Sequence, residues 1–316
     1  MRKAALLYNP DSGGSRRRWR ELQSALGLLK DAGVEAEILL ADSRERGGEE
    51  TRRAVAFGCD TVFACGGDGT INNVAEALAN TPAALAILPM GTANALAHDL
   101  GLPLSVTAAA KAALSGTTRR IALGKITCNG MTEGQVTRYF TVAAGIGVDA
   151  HLFYKLYGGS KKRLGMTAYY AKAWNLLISY VMASFTAEYV GGELSSARKL
   201  EVTELMAVRI RQFGGIVREM APGASLDRND LRLILCHTHS RLAYLAYMAR
   251  CAFGRPGNVR GIDLVYSTSV SCDYCATVAP QGRRNIYVQA DGELIGTLPA
   301  EMTIVPDALT LLVPSR

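Results

Sequence analysis

The sequence predicts two domains. The first is an α/β N-terminal domain with a Rossmann-like, mostly parallel sheet, and the second is a β-rich, antiparallel sandwich. The first 120 residues alternate short β-like runs with helical runs, which is typical of βαβ units. Beyond about residue 120, strand-like runs are separated by turns that contain Gly, Asn or Asp, a pattern that favours antiparallel pairing. The length of 316 residues agrees with two domains.

The elements of the first domain follow from its alternating apolar runs. We predict strands at residues 4–8, 36–41, 61–65 and 84–88, and helices at 19–32, 49–58, 71–79 and 106–115. We place this domain at residues 1–122 and expect residues 300–316 to pack back on it.

The second domain, residues 123–299, contains five clear strand-like runs, at 138–144, 205–211, 231–236, 262–266 and 286–290. Cys272 and Cys275 lie in a further run, 267–278, where their spacing puts them on opposite faces of a strand and disfavours a metal site. Tyr170 and Trp174 belong to a series at helical spacing that predicts one helix over residues 165–189.

The composition excludes a disordered or low-complexity chain, because 49% of the residues are hydrophobic and 20% are charged. Lys and Arg outnumber Asp and Glu by 35 to 28, so the chain attracts polyanions such as nucleotides, nucleic acid or an anionic membrane. Seven scattered cysteines predict free thiols in a reducing cytoplasm. No nucleic-acid-binding module is recognisable, so we expect no nucleic-acid partner.

The longest apolar run without charge, residues 173–187, has 15 residues and is shorter than the roughly 20 that span a bilayer. We therefore expect a soluble or peripheral protein. Between Asp149 and Glu188 there are five cations and several aromatic residues but no acid. This segment could dock on an anionic membrane, or it could form a helix that covers the second sheet with its lysines in water.

Three glycine-rich turns follow predicted strands of the first domain, where a parallel sheet presents its ligand crevice. They are Asn9-Pro10-Asp11-Ser12-Gly13-Gly14, Gly66-Gly67-Asp68-Gly69-Thr70 and Pro89-Met90-Gly91-Thr92-Ala93-Asn94. Glycine lets the backbone approach a ligand closely, and N–H groups at helix starts bind phosphate oxygens. The three turns together indicate a nucleotide-phosphate site, although the Walker-type P-loop pattern is absent.

A competing motif begins at Gly145 and reads Gly-Ile-Gly-Val-Asp-Ala. A dinucleotide fold would place an acidic residue about 20 positions later, and none occurs before Glu188. We therefore interpret this segment as a turn and not as a dinucleotide site.

The three turns, together with Gln289-Ala290-Asp291-Gly292-Glu293, resemble the diacylglycerol kinase catalytic-domain family, which includes bacterial lipid kinases, sphingosine kinases and ceramide kinases. The motifs occur in order from residue 9 to residue 293, so the resemblance covers nearly the whole chain. It implies a nucleotide-binding first domain, a lipid-substrate second domain and transfer of the ATP γ-phosphoryl group to a lipid hydroxyl.

The resemblance also implies roles for individual residues. Asp68 would position Mg²⁺-ATP and Glu293 would be the general base for the acceptor hydroxyl. Without the resemblance, Asp68 could simply cap a helix that begins near Ile71, and Glu293 could be a solvated hairpin residue. The residues expected to contact ATP are Asn9, Pro10, Asp11, Ser12, Gly13, Ser43, Gly67, Asp68, Gly69, Thr70, Ile71, Asn72, Asn73 and Thr92.

The chain departs from the family pattern at three positions. Ala122 replaces an acidic residue of the metal network, and Asn73 replaces a common Glu. Arg228 stands at a structural Mg²⁺ ligand position, where it cannot bind the cation and could instead replace its charge. Ser225 and Asp230 are the remaining expected ligands of that second metal site.

The leading hypothesis is an ATP- and Mg²⁺-dependent lipid kinase of the cytoplasm that contacts the membrane peripherally and could form a homodimer. A soluble kinase of the NAD kinase type would share the Gly-Gly-Asp-Gly turn but not the Asn-Pro-x-Ser-Gly and Asp-Gly-Glu pair. A catalytically weak protein that binds lipid or nucleotide is the third possibility, because of Ala122 and Arg228.

Overall fold

The computed structural model describes residues 1–10, 16–132, 134–151, 182–191, 197–213, 219–257, 259–275 and 284–315. These residues divide into two compact units. Unit 1 contains Met1–Leu123 with residues 212–213 and 305–315, and unit 2 contains Gly124–Arg211 with residues 219–304. The first division lies one residue beyond 122, and the C-terminal segment joins unit 1 from residue 305 onwards.

Strands and helices alternate in unit 1. Its strands are β1 (Lys3–Tyr8), β2 (Glu35–Leu40), β3 (Thr61–Gly66) and β4 (Ala84–Pro89). Its described helices are α1 (Arg16–Asp31), α2 (Arg44–Ala56), α3 (Asp68–Leu78), α4 (Ala95–Asp99) and α5 (Val106–Leu114). Two longer strands, β5 (Thr117–Gly130) and β15 (Glu293–Val313), contribute residues to both units.

The sheet of unit 1 has the order β4-β3-β1-β2, and all three pairings are parallel. The end of β15 adds to β4 in parallel at Thr310 and Leu311. One face of the sheet forms a hydrophobic core with α1 and α5, which includes Leu22, Phe63 and Ala109. Because successive strand residues point to opposite faces, the alternate residues are left to pack with α2 and α3. The predicted parallel α/β domain is therefore confirmed.

Three helices of unit 1 begin earlier than the sequence predicts, and the first of them, α1, begins at Arg16 and not at residue 19. Helix α2 starts at Arg44 because the hydroxyl of Ser43 accepts a hydrogen bond from the backbone N–H of Arg46 at 3.2 Å. Helix α3 starts at Asp68 directly after the extended residue Gly67, so the predicted start at Ile71 is three residues too late.

Unit 2 is mainly β. Between β5 and β15 its described elements are β6 (Gln135–Phe140), β7 (Ala143–Gly147), β8 (Phe185–Val190), β9 (Arg198–Val202), β10 (Glu204–Val208), β11 (Leu231–Cys236), α6 (Arg241–Ala252), β12 (Ile262–Ser267), β13 (Ser269–Tyr274) and β14 (Tyr287–Ala290).

The strands of unit 2 pair antiparallel throughout the described residues. One path runs β12-β11-β10-β7-β14-β15, and β13 joins β15 to β8, which pairs with β9. Their inward side chains, among them Phe140, Phe185 and Leu233, form one hydrophobic core. The predicted antiparallel sandwich is confirmed.

Two expectations for unit 2 are wrong in detail. The predicted strand 138–144 divides into β6 and β7 at Thr141 and Val142. Residues 185–189, which we predicted to be the end of the helix 165–189, belong instead to strand β8. Its residues alternate between buried and less buried positions, as strand residues do. The rest of that helix, like the cluster of cations from Lys155 to Lys172, lies outside the described residues.

The glycines of the Gly145 motif are also not a turn, because Gly145 and Gly147 lie in strand β7. Helix α6 is not predicted from the sequence, since its apolar residues lie on all sides and leave no helical periodicity.

All seven cysteines are buried free thiols, as predicted. Cys272 lies in β13, but the strand ends at Tyr274, so the prediction that Cys275 belongs to the same strand is wrong. Among the described residues, no helix combines the length and the apolar character that crossing a bilayer would require.

Candidate functional site

The second glycine turn connects the carboxyl end of β3 to the start of α3. Gly67 is the extended N-cap of α3, and no side chain caps that helix end. Its first-turn N–H groups therefore lie at the carboxyl end of a parallel strand, which is where α/β sheets bind phosphate. Thr70 in this turn is buried, whereas Gly69 is exposed.

The second and third glycine turns are in close contact within unit 1. A Cβ built on Gly91 would lie 2.5 Å from the Cα of Gly67 and 2.7 Å from the side-chain oxygen of Asn94. Any side chain at Gly91 would force the two turns apart, so the contact requires glycine there.

Asp68 ties these two turns together. Its carboxylate accepts hydrogen bonds from the backbone N–H groups of Asn94 at 2.9 Å and Ala95 at 2.7 Å. Asn94 itself closes the third turn, since its amide oxygen accepts from Gly91 N–H at 2.9 Å and its amide nitrogen donates to the Gly91 carbonyl at 3.0 Å. Asp68 thus caps the start of α4 and does not cap a helix that begins near Ile71.

Asn94 belongs to the third glycine turn, although it is not one of the residues expected to contact ATP. Its backbone is left-handed, with φ of 49°, a conformation that Asn tolerates better than most residues. An Asn at the end of a glycine-containing turn is the sequence signal that could have identified it.

Three of the expected ATP contacts have other roles in unit 1, and two of them, Ile71 and Asn73, are buried. Ile71 is fully buried, and the amide nitrogen of Asn73 donates to the Arg44 carbonyl at 2.7 Å. The hydroxyl of Ser43 caps α2, as described above. Asn73 therefore ties α3 to the first residue of α2, whereas the exposed Ser43 caps its own helix.

The first glycine turn is described only as far as Asn9, which is half-buried, and Pro10, which is exposed. Asp11, Ser12 and Gly13 lie outside the described residues. Thr92 in the third turn is exposed, and Asn72 in α3 is buried.

In unit 2, Asp291 and Gly292 form the two-residue turn between β14 and β15. Their φ angles of 47° and 80° are those of a tight hairpin turn, and Glu293 follows as the first residue of β15. Glu293 is half-buried and has a polar or electrostatic partner, so it is not a solvated turn residue.

The carboxylate of Asp291 anchors this turn to the start of β7. It accepts from the N–H groups of Thr141 at 2.8 Å, Val142 at 2.9 Å and Ala143 at 2.8 Å, and from the Thr141 hydroxyl at 3.2 Å. Burial raises the pKa of Asp291 to about 6, although these hydrogen bonds favour its ionised form. This anchoring role of Asp291 is not predicted from the sequence, which indicates only that the residue belongs to the motif.

Gln289 connects the same turn to a buried pair of acids. Its amide oxygen accepts from Gly292 N–H at 2.9 Å, and its amide nitrogen donates to the Asp149 carboxylate at 2.7 Å. The Asp149 carboxylate fills the space where Gly145 would carry a side chain, which explains the glycine in strand β7.

Glu204 is the second acid of this pair. Its carboxyl group accepts from the N–H groups of Val148 and Asp149. Burial raises the pKa of both carboxyl groups, and the neighbouring Asp149 raises that of Glu204 further. Both causes favour the protonated form of Glu204, because ionising both acids would bury two neighbouring negative charges.

The residues expected at the second metal site lie in the loop before β11. Arginine side chains contact the carboxylate and carbonyl oxygens of this loop. Both carboxylate oxygens of Asp230 accept from the Arg228 guanidinium, at 2.7 and 2.5 Å. The buried Arg209 donates to the backbone carbonyls of Leu226 at 3.4 Å, Arg228 at 2.9 Å and Asp230 at 2.5 Å.

The loop around Asp230 therefore does not fit a divalent cation. The Ser225 hydroxyl accepts from Asp227 N–H at 3.2 Å, and Arg228 also stacks on the ring of Tyr266, 4.0 Å from its centroid. Nowhere in the described part of the chain do three His, Cys, Asp or Glu side chains form a group that could hold a metal.

Unit 1 thus has the parallel α/β fold and the glycine turns of a nucleotide-binding domain, and unit 2 is an antiparallel sandwich. The diacylglycerol kinase catalytic-domain model matches residues 3–126, and the YegS C-terminal NAD kinase β-sandwich-like model matches residues 142–313. The chain therefore belongs to the proteins that combine a diacylglycerol kinase catalytic domain with a YegS C-terminal NAD kinase β-sandwich-like domain, the second of which covers more than half of it.

Known proteins resemble the chain along its whole length. A diacylglycerol kinase of Staphylococcus aureus (strain bovine RF122) is 26% identical over 318 residues, which cover 100% of this chain and 94% of the relative. The crystal structure of a diacylglycerol kinase from Bacillus anthracis (strain Sterne) has a TM-score of 0.68 at 19% identity and covers 98% of this chain and 96% of its own.

The fold is also similar to that of yeast NADH kinase in complex with NADH, with a TM-score of 0.51 at 8% identity, over 99% of this chain and 84% of the other. The curated relatives support a kinase, and the structural likenesses establish the fold.

We expect Glu204→Gln to leave the free energy of unfolding at neutral pH within about 1 kcal/mol of wild type, because an amide imitates the protonated carboxyl. Glu204→Ala should lose about 3 kcal/mol, because it leaves a cavity and unpaired N–H groups. Urea denaturation measures both changes.

The change of stability with pH tests the direction of the Glu204 pKa shift. The folded pKa of Glu204 lies above the ordinary value of 4.5, so the folded protein binds the extra proton and stability falls as pH rises from 4.5 towards the folded pKa. Glu204→Gln should reduce this slope. An unchanged slope would show that Glu204 does not hold the proton.

Thermal unfolding of the nucleotide-free protein should not shift on addition of Mg²⁺, because guanidinium groups already contact the loop oxygens. Arg228→Gln should cost at most about 1 kcal/mol, since that ion pair is partly exposed. Arg209→Gln should cost about 3 kcal/mol or more, because it removes the buried donor to three carbonyls. A rise of Tm with Mg²⁺ in wild type would contradict this description of the loop.

Proposed function

We propose that the chain is an ATP- and Mg²⁺-dependent lipid kinase, which transfers the γ-phosphoryl group of ATP to the hydroxyl of a lipid alcohol such as diacylglycerol or a sphingoid lipid. The observation that carries the proposal is the Asp68 carboxylate, which joins two glycine turns at the carboxyl ends of neighbouring parallel strands. The relatives named diacylglycerol kinase support the lipid acceptor.

ATP would bind to unit 1 with its phosphates on the N–H groups of the first turn of α3. The residues present fit this role, because the helix start is uncapped by any side chain and Gly67 and Gly91 bring backbone close to it. Asn9, Gly69 and the exposed Thr92 would contribute further contacts.

Mg²⁺ would enter with the ATP phosphates and be held by them together with Asp68. A carboxylate has about four lone-pair directions, so the two N–H groups on Asp68 leave acceptor capacity for a cation or its water. When bound, the ion neutralises phosphate charge during transfer.

Glu293 would act as the general base. The acceptor hydroxyl gives its proton to the Glu293 carboxylate as its oxygen bonds to the γ-phosphorus, and the bond from the γ-phosphorus to the bridging oxygen breaks to release ADP. Asp291 and Gln289 would be positioning residues, because they fix the two-residue turn that precedes Glu293.

The lipid acceptor implies that the protein works in the cytoplasm at the membrane surface and contacts anionic lipid peripherally. The net charge of +7 favours such a surface.

A soluble kinase that phosphorylates a dinucleotide is the second candidate. The match of unit 2 to an NAD kinase β-sandwich-like domain favours it. The Asp-Gly-Glu turn, which resembles the lipid kinase motif, favours the lipid acceptor.

The test is transfer of label from γ-labelled ATP, with Mg²⁺, to lipid alcohols in mixed micelles and, in parallel, to NAD. Glu293→Gln should reduce the rate at least about 100-fold while ATP still binds, because only the proton acceptor is lost. The matched control is Glu301→Gln, an exposed glutamate on the same strand, which should keep the wild-type rate. Labelled NAD without labelled lipid would decide for the second candidate.

Gly91→Ala should weaken ATP binding at least about tenfold, because its Cβ pushes apart the two turns that Asp68 joins. The control is Gly27→Ala in helix α1, where a Cβ meets nothing within 4 Å and helix propensity favours alanine by about 1 kcal/mol. Calorimetric titration with ATP measures both. Equal affinities would refute a nucleotide site at these turns.

A further inference from the structure

Helix α6 in unit 2 has an apolar face that points away from the protein. Leu242, Ala246, Ala249 and Phe253, at its end, recur at spacings of four, three and four, which places them along one side of the helix. We call these four residues the α6 outer face. All four are exposed, with Leu242 at 78% and Phe253 at 82% of full exposure.

The opposite side of α6 is fixed to unit 2. Tyr244, Tyr247 and Cys251 are buried there. The Tyr247 hydroxyl donates to the Met220 carbonyl at 2.6 Å, and the Tyr244 hydroxyl hydrogen-bonds with that of Thr203 at 2.7 Å. These contacts fix the orientation of the helix, so the outer face stays directed away from the core of unit 2.

A helix on the surface of a globular protein normally presents polar residues outwards, and a helix that is apolar on all sides is normally buried. The outer face of α6 therefore lacks the polar residues that water alone would favour. Two large exposed apolar side chains on one stripe indicate a surface that is covered when the protein works.

The chain segment that contains this face carries charge of a single sign, and the acid Glu219 lies near Cys251 on the opposite side of the helix. From residue 231 to residue 262 the chain has five arginines and no aspartate or glutamate. Arg250 is exposed on one flank of the outer face and Arg241 on the other, and the exposed Arg255 and Arg260 follow in the next loop. Apolar side chains bordered by arginine match an anionic bilayer, which offers a hydrocarbon boundary beneath negative headgroups.

We propose that the α6 outer face docks on an anionic lipid surface, with Leu242 and Phe253 entering the headgroup–acyl boundary and the flanking arginines contacting lipid phosphates. A second copy of the chain fits less well, because two such faces would bring arginines together. The inference rests partly on the proposed function, since a kinase whose acceptor lies in a bilayer must reach its surface.

The test is sedimentation of the protein, without ATP, with vesicles of phosphatidylcholine alone or mixed with phosphatidylglycerol. Wild type should bind the mixed vesicles more tightly. Leu242→Ser combined with Phe253→Ser should weaken binding at least about tenfold, because it removes the inserting side chains. Both side chains are exposed, so the thermal unfolding curve should stay that of wild type.

Two controls match these changes. Phe57→Ser removes an aromatic residue of unit 1 that is 66% exposed, and it should bind vesicles like wild type. Arg250→Gln combined with Arg255→Gln should weaken vesicle binding about fivefold per arginine. Its control is Lys30→Gln combined with Lys111→Gln, which removes the same charge from exposed positions of unit 1 and should have a smaller effect.

The inference would be overturned if the Leu242 and Phe253 changes left vesicle binding intact. It would also be overturned if the wild-type protein bound neither kind of vesicle. A wild-type dimer that the same changes dissociate, without vesicle binding, would assign the face to self-association instead. Phosphorylation of a short-chain diacylglycerol dissolved as monomers, measured with wild type alone, tests the proposed function separately because it needs no bilayer.

Discussion

The contact between the second and third glycine turns of unit 1 depends on one carboxylate. Asp68 starts α3, and its side chain accepts hydrogen bonds from the first N–H groups of α4, so two helix starts are held in fixed positions by a single residue. This arrangement works only because Gly67 and Gly91 have no side chains at their point of contact. Phosphoryl transfer depends mainly on positioning, and a rigid pair of turns at the carboxyl ends of parallel strands supplies it.

Unit 2 uses the same device at the turn before Glu293. Asp291 accepts three backbone N–H groups at the start of β7, and Glu204 accepts two just beyond its end. Burying these acids costs free energy, which is why burial raises their pKa values, yet each fixes the backbone more tightly than a loop could by itself. A half-buried Glu293 on such a fixed turn is suited to accept a proton in one defined direction.

The sequence predicted the order of elements in unit 1 well, because strands and helices there differ clearly in periodicity. It did not predict that Ile71 and Asn73 face inwards, since a motif identifies positions and not the direction of their side chains. The turn predicted at Gly145 is wrong because the sequence does not show why a glycine is required. Gly145 leaves room in a strand for the Asp149 carboxylate, which is a tertiary contact. Helix α6 was missed because its outer face is apolar.

An arginine at position 228 is compatible with a folded loop, because guanidinium groups supply positive charge to the loop's oxygen atoms. A divalent ion would gather carbonyl and carboxylate oxygens by charge alone. Two guanidinium groups gather them here by directed hydrogen bonds, with Arg209 buried below and Arg228 paired to Asp230 above the Tyr266 ring. Arg228 thus brings positive charge to the position where the family resemblance implies a metal ligand. The loop can thus keep its conformation in a chain that lacks the usual ligands.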